Sequence, residues 1–172
     1  MKIIGFVYHD GRSELLLKGD SCLLNGRKPL FMPEWTQELG VTECIILRVC
    51  RLGKEIAPKF ARRYYDAVAP GADFIAMDKL REAQAQGAPW TQAAAFDYSL
   101  AIGEWTETGE GQDYDTYLMT PEEAVAEASR VMTIRQGDLI YIQRKQAPRR
   151  VQKEEIIRQE IDGVEKLYCK IK

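Results

Sequence analysis

The chain has 172 residues, of which 45% are hydrophobic and 29% are charged. This length and composition predict a single globular domain, 1–172, whose core is large enough to fold without disulfide or metal staples. The net charge of −2 excludes a general attraction to nucleic acid or to an anionic membrane, so we expect neither partner.

The first residues lack the features of a secretory signal. Lys2 is followed by a short apolar run that ends at Tyr8-His9-Asp10, and no apolar stretch approaches the roughly 20 residues that span a bilayer. The four cysteines have no CxxC spacing, and we expect buried thiols in a reducing compartment: Cys22, Cys44, Cys50 and Cys169. These features together predict a cytoplasmic protein.

The first elements are a strand and a hairpin. The apolar run 3–8 predicts a strand, and the polar residues 9–12 predict the turn that ends it. Asn25-Gly26 is typical of a hairpin turn with positive φ at both central residues. We therefore expect the segments 22–24 and 30–32 to pair with each other.

The central part of the chain opens with a dense apolar run at 44–50, which predicts a strand buried on most of its surface. Pro58 fits the first position of a helix, and we expect that helix to end before Pro70-Gly71. The chain then returns through 72–76 and enters a short helix that Gly87 closes.

The last third begins with a polar, glycine-rich loop at 103–114. Thr120 as the N-cap, Pro121 at the first position and Glu123 in a capping box predict a helix that runs to about Val131. Two further elements follow: a strand at 139–142, and a closing hairpin of 154–161 and 166–171 that turns at Asp162-Gly163.

Three successive segments resemble motifs of the fumarylacetoacetate hydrolase family. They correspond to that family's "xxGKxI" turn, its "xDxxARD" segment and its "GxPWxxAKxFDxxxPIG" segment. The matching residues are Arg51-Leu52-Gly53-Lys54-Glu55-Ile56, then Ala72-Asp73-Phe74-Ile75-Ala76-Met77-Asp78, then Gly87-Ala88-Pro89-Trp90 through Phe96-Asp97 to Ile102-Gly103. The opening residues 1–5 and the segments 17–24 and 137–140 are also similar to the family.

The resemblance implies an α+β fold that is mainly β. We expect a mixed sheet rolled into a sandwich-like or barrel-like body, with a few short helices outside it. It also implies a divalent cation, magnesium, manganese or calcium, held by three or more carboxylates, since such ions prefer hard oxygen ligands. Family members commonly form homodimers.

Carboxylate ligands are missing where the resemblance implies them. Thr42 and Cys44 stand at the positions of two metal-binding glutamates, whereas Asp73 keeps the third. Glu43 lies between the two replaced positions, but neighbouring residues on a strand point to opposite faces, so it is only a weak candidate ligand.

Substrate-pocket residues also differ from the family. Met77 replaces an arginine and Ala94 replaces the lysine of "AKxFD". Gln143 and Arg144 stand in a segment that replaces a glycine-containing pocket loop.

We therefore interpret the chain as a catalytically degenerate, fumarylacetoacetate hydrolase-like domain that needs no cofactor. It would act as a binding, scaffold or regulatory subunit, as a homodimer or with a paralogous subunit. A small carboxylate could still bind through Arg144 or Arg149.

Several alternatives stay open. A rebuilt Mg²⁺ or Mn²⁺ site of Asp73, Glu43 and Glu34 or Asp78 would make the protein a hydrolase, decarboxylase or isomerase of acylpyruvate-type 2-oxo acids.

His9 is the only histidine. It is a weak catalytic candidate, either with Cys44 as nucleophile or in a Cys44–Asp73–His9 zinc site. The basic segment 144–153 is either a solvated loop or a plug of the former cleft.

Overall fold

The computed structural model describes residues 1–107, 113–161 and 163–172. Part of the predicted loop at 103–114 and Asp162 of the last turn lie outside the described residues. Within these ranges, no helix is long and apolar enough to cross a membrane.

Strands make up most of the regular structure. They are β1 (Lys2–His9), β2 (Arg12–Gly19), β3 (Leu23–Asn25), β4 (Leu39–Val49), β5 (Tyr65–Ala76), β6 (Leu100–Ile102), β7 (Thr106–Glu107), β8 (Leu139–Gln143), β9 (Arg149–Arg150), β10 (Ile156–Ile161) and β11 (Val164–Lys170). The helices are α1 (Pro58–Ala61), α2 (Met77–Gln86), α3 (Thr91–Ala94) and α4 (Pro121–Val131).

Nine of the strands in the described ranges form one mixed sheet. Its order is β2-β1-β8-β4-β5-β6-β3, with β9 beside β4 and β7 beside β5. The pairs β1/β8 and β3/β6 are parallel, and the other pairs are antiparallel. Strands β10 and β11 form a separate antiparallel hairpin. The predicted α+β fold, mainly β with a mixed sheet and short helices, is confirmed.

Both faces of β4 are buried, which explains its continuous apolar sequence. Ile45 and Leu47 point toward a core that includes one side of α4. Cys44 and Ile46 point the other way, into a second core shared with residues of β1, β5, β6 and β8. This second core fills the inside of the rolled sheet, and the candidate site lies at one end of it.

The helix predicted from Pro58 to Pro70 is wrong in length. Only Pro58–Ala61 is α-helical, and a 3₁₀ turn at Arg62–Tyr64 leads directly into β5. The strand runs through Pro70-Gly71 because it pairs with β4 along nearly all of its length. The Pro70 carbonyl accepts a hydrogen bond from Gly103 N at 2.9 Å. Long-range pairing here overrides a local helix signal.

The predicted hairpin around Asn25-Gly26 is also wrong. Gly26 has positive φ, at 72°, but Asn25 does not and is the last residue of β3. The two predicted arms pair elsewhere. Strand β3 pairs in parallel with β6, whereas Leu30 forms a bridge with Ile171 at the end of the chain. A turn signal sets the local backbone conformation, but it does not choose the strand's partner.

The helix boundaries near Gly87 and Thr120 are confirmed. Gly87 closes α2 with a left-handed φ of 63°. At the start of α4, the Thr120 hydroxyl accepts from Glu123 N at 3.3 Å, and the Glu123 carboxylate accepts from Thr120 N at 2.8 Å. The predicted capping box is therefore present, and α4 ends at Val131 as expected.

Replacing Thr120 with alanine is expected to lower the free energy of unfolding by about 1 kcal/mol, because the N-cap hydroxyl is lost. Urea unfolding followed by circular dichroism would measure this. Thr91→Ala is the matched control, since Thr91 is exposed and caps no helix. Equal effects of the two substitutions would contradict the capping role.

Candidate functional site

A cluster of polar side chains lies on the inner face of the rolled sheet. Lys18 comes from β2, Asp73 from β5, Ser99 from the residue before β6, and Tyr141 and Gln143 from β8. All five side chains are buried. The cluster therefore joins strands that are distant in the sheet order.

The centre of this cluster is an ion pair between Lys18 and Asp73. Lys18 Nζ lies 2.6 Å from Asp73 Oδ1, and the two residues are only 1% and 4% exposed. The ammonium also donates to Ser99 Oγ at 2.9 Å and to the Ser99 carbonyl at 3.2 Å. These contacts use all three of its donors. Because β1, β8 and β4 separate β2 from β5 in the sheet, the pair bridges the inside of the roll.

The second oxygen of Asp73 is also engaged. Gln143 Nε2 donates to Asp73 Oδ2 at 2.7 Å, and Gln143 Oε1 accepts from Tyr8 N at 2.8 Å. The Asp73 carboxylate thus has a cation on one oxygen and an amide donor on the other. Its negative charge is compensated within the protein.

Tyr141 of the cluster and the nearby Cys44 are held neutral. Burial, and then the nearby Asp73 carboxylate, raise the pKa of the Tyr141 hydroxyl well above its usual range. The same two causes raise the pKa of the Cys44 thiol. A protonated thiol is a poor nucleophile and a poor metal ligand. All four cysteines are free, and Cys22, Cys44 and Cys169 are buried as expected, but Cys50 is only partly buried, so the prediction of a buried thiol is wrong there.

A narrow cavity adjoins the ion pair. Its polar lining consists of Thr42, Asp73 and Gln143, together with Tyr8, and its walls are apolar: Val7, Leu16, Ile75, Leu80, Trp90, Ala94 and Pro148. The space open to the centres of water molecules is about 30 Å³. That is room for one or two waters, whereas substrate pockets are usually ten times larger or more.

The structure brings only some of the candidate residues together. Thr42, Asp73, Ala94 and Gln143 line the cavity. Met77 lies outside this lining, where its sulfur covers Gly40. These positions follow from strand alternation and from the close approach of α2 and α3 to β5.

Glu43 and Arg144 lie on the opposite face of the sheet. Arg144 Nε is 2.8 Å from Glu43 Oε2, and its guanidinium also contacts Thr116 and the ring of Tyr117. Arg149 likewise pairs outside the cavity, at 2.6 Å from Glu155. Neither arginine can therefore hold a carboxylate inside the cavity. Of the basic segment 144–153, it is Pro148 that contributes to the cavity wall.

His9 lies at the rim rather than in the cavity. Its ring packs edge-on against Trp90, with 4.8 Å between the ring centroids, and Nε2 is 3.3 Å from an oxygen of Asp10. Trp90 lines the cavity, whereas His9 is not among the lining residues. The structure does not bring His9 to Cys44 or Asp73 as a zinc site or catalytic pair requires.

Of the comparisons with known proteins, the one with solved structures finds proteins of similar fold. No family model matches the sequence, and no curated protein matches it either. Solved structures do match. A protein of the fumarylacetoacetate hydrolase family from Yersinia pestis superposes with a TM-score of 0.87 at 17% identity, over 99% of this chain and 91% of that chain. Fumarylpyruvate hydrolase from Pseudomonas aeruginosa, in complex with Mn²⁺ and pyruvate, matches with a TM-score of 0.80 at 17% identity, over 99% and 88%.

The chain has the fumarylacetoacetate hydrolase fold. A 5-carboxymethyl-2-hydroxymuconate delta-isomerase from Mycobacterium smegmatis shares it, with a TM-score of 0.83 at 16% identity, over 99% of this chain and 78% of that chain. The fold that the sequence motifs implied is therefore confirmed. Proteins with this fold include hydrolases and isomerases, so the fold by itself does not specify a reaction.

The residues in this example of the fumarylacetoacetate hydrolase fold do not fit a magnesium or manganese ion. Thr42 and Cys44 offer a hydroxyl and a protonated thiol, and both oxygens of Asp73 are engaged. In the ranges that the structure describes, no three His, Cys, Asp or Glu side chains are grouped to hold a metal ion. The donor set is therefore wrong for a hard dication.

The other carboxylates considered for a rebuilt site have different surroundings. Asp78 accepts hydrogen bonds from the Thr36 hydroxyl and from Gln37 N. Burial opposes its ionisation, but these hydrogen bonds outweigh burial and hold the pKa of Asp78 below its usual value. Glu34 is exposed. Neither contributes to the cavity beside Asp73.

Sequence reasoning missed the residue at the centre of the site. Lys18 lies in the segment 17–24 that is similar to the family, and one signal marks it: it follows Leu15-Leu16-Leu17 and shares a strand face with Leu16. A lysine at an inward-facing position predicts a buried anion to pair with it. Neither Ser99 nor Tyr141 carried a comparable signal.

Proposed function

We propose that this protein is a catalytically degenerate member of the fumarylacetoacetate hydrolase family that acts as a binding, scaffold or regulatory subunit. The observation that carries the proposal is the Lys18 ammonium on Asp73 Oδ1, at 2.6 Å. The protein's own cation stands beside the one carboxylate retained from the ligand set that the family resemblance implies.

A divalent cation would have to displace that ammonium. Lys18 would then lose its counter-ion while remaining buried, and an unpaired buried charge costs several kcal/mol. If Lys18 stayed in place, its positive charge would repel the incoming ion across a few ångströms of low-dielectric interior. Both routes disfavour binding of Mg²⁺ or Mn²⁺.

The cavity supports the same conclusion. Family resemblance implies a 2-oxo acid substrate, but the cavity volume of about 30 Å³ is a tenth or less of that of a usual substrate pocket. Two of its polar side chains are engaged within the protein: Gln143 donates to Asp73 and accepts from Tyr8 N, and Asp73 also accepts from Lys18. We therefore place the protein's role in contacts with other chains, as a homodimer or beside a paralogous subunit.

Titration of Mn²⁺ and Mg²⁺ in a calorimeter tests the proposal, together with assays of acylpyruvate hydrolysis and oxaloacetate decarboxylation. We expect no saturable heat and no turnover above the background of the Asp73→Asn variant. Saturable metal binding and turnover that both disappear in Asp73→Asn would refute the proposal. That result would establish instead a metal-dependent hydrolase, decarboxylase or isomerase with a rebuilt site.

A further inference from the structure

Residues 48–63 form an exposed, positively charged surface far from the polar cluster. This segment contains six Arg or Lys residues and one acidic residue, although the whole chain has a net charge of −2. All six cations are exposed: Arg48, Arg51, Lys54, Lys59, Arg62 and Arg63. We call this region, with the adjoining end of α4, the basic surface. Its charge points to an anionic partner.

Apolar side chains are exposed within the basic surface. Leu52, Phe60 and Val131 are 66%, 44% and 50% exposed. Backbone hydrogen bonds between Gly53 and Ile134, at 3.0 and 2.9 Å, hold the turn that carries Leu52 against the end of α4, and α1 packs on α4. Exposed apolar side chains surrounded by charge are typical of interaction surfaces.

Several of these cations have no carboxylate partner in the described part of the chain. Lys59 and Arg63 lie over the ring of Phe60, at 5.0 and 5.4 Å from its centroid, and Arg51 lies 6.0 Å from that of Tyr64. Aromatic contacts orient a cation without neutralising it. The basic surface therefore keeps its positive potential for an incoming group.

A groove beside this surface distinguishes between classes of partner. It is largely open to solvent, has a volume of about 490 Å³ and is lined in part by Arg48, Asp66, Trp105 and Glu107. A planar bilayer cannot fill a concave groove. Phe60 and Trp105 could stack on nucleic-acid bases, but the carboxylates of Asp66 and Glu107 in the groove would repel the phosphate backbone, and Leu52 and Val131 are aliphatic. A protein segment can vary its side chains along its length, with carboxylates against Arg51, Lys59 and Arg63 and with apolar or neutral side chains against Leu52, Phe60 and the groove that contains Asp66 and Glu107.

We propose that the basic surface and its groove bind an acidic, amphipathic segment of a partner protein. Carboxylates of the segment would pair with Arg51, Lys59 and Arg63, while its apolar side chains would cover Leu52 and Phe60. Binding at the basic surface does not depend on the cavity beside Asp73, so it would occur even if that cavity were an active site.

The probe is a fluorescein-labelled peptide of about 16 residues, with Leu and Phe at helical spacing and Glu elsewhere. Fluorescence anisotropy would compare it with a peptide in which every Glu is Gln. We expect the Glu peptide to bind about tenfold more tightly or better, and to weaken as salt is raised. Equal binding of the two peptides would overturn the proposal.

Matched variants locate the binding surface. Lys59→Glu with Arg63→Glu should weaken the Glu peptide about tenfold or more. Lys28→Glu with Lys153→Glu makes the same charge change at exposed positions elsewhere and should have little effect. Phe60→Ser should weaken binding, but Phe31→Ser should not, although Phe31 is also exposed. Equal losses in variant and control, or tighter binding to oligouridine or phosphatidylserine vesicles than to the peptide, would refute the proposal.

Discussion

Replacing Lys18 with methionine is expected to lower the free energy of unfolding by about 3–5 kcal/mol, because Asp73 is left as an unpaired buried charge. The melting temperature should fall by roughly 10 °C or more. Ser99 also loses the ammonium that its hydroxyl and carbonyl accept from. Urea and thermal unfolding, followed by circular dichroism, measure both quantities.

Two controls separate the ion pair from side-chain volume. Lys153→Met removes an exposed lysine and should change stability by less than about 0.5 kcal/mol. Lys18→Met combined with Asp73→Leu removes both charges and should recover much of the lost stability, since apolar replacements of buried ion pairs are often well tolerated. If the double variant were less stable than Lys18→Met, the unpaired carboxylate would not be the cause.

Replacing Gly5 with alanine is expected to lower the free energy of unfolding by about 3 kcal/mol through overpacking. Gly5 lies opposite Tyr141 in the parallel pair β1/β8. A Cβ at this position would be 2.1 Å from Tyr141 Cζ and 2.3 Å from Cε1. Tyr141 is fully buried, so its ring cannot move aside without displacing the inner core.

Substitutions of Tyr141 test whether its ring causes the clash. Gly5→Ala should cost much less in a Tyr141→Leu background, where the ring is absent, but as much as before in a Tyr141→Phe background, where the ring remains. Gly19→Ala is the matched control, because a Cβ there meets no atom within 4 Å. A similar cost in all backgrounds would show that the ring is not responsible. Urea unfolding measures each variant.

Local signals in the sequence determined the parts of the fold that depend on neighbours along the chain. The capping box of Thr120 and Glu123 and the closing Gly87 placed the ends of two helices correctly. The apolar run at 44–50 identified most of β4. Such features are predictable because the interacting groups lie within a few residues of each other.

Long-range pairing decided the elements that were predicted wrongly. Strand β5 continues through Pro70-Gly71 because β4 lies beside it, although proline and glycine locally indicate a break. Gly26 has the positive φ of a turn, yet Asn25 belongs to β3, and the predicted arms paired with β6 and with the end of the chain. No local pattern contains the identity of such partners.

The candidate site shows most clearly the difference between what the sequence predicts and what the tertiary structure decides. From the sequence by itself, the family resemblance placed Thr42, Cys44 and Asp73 at the ligand positions, and so indicated which donors were missing. Only the tertiary structure showed what stands there instead: the roll of the sheet carries Lys18 to Asp73 across 55 positions of sequence. An ion pair between distant strands depends on how the sheet closes, and this closure is a property of the whole fold.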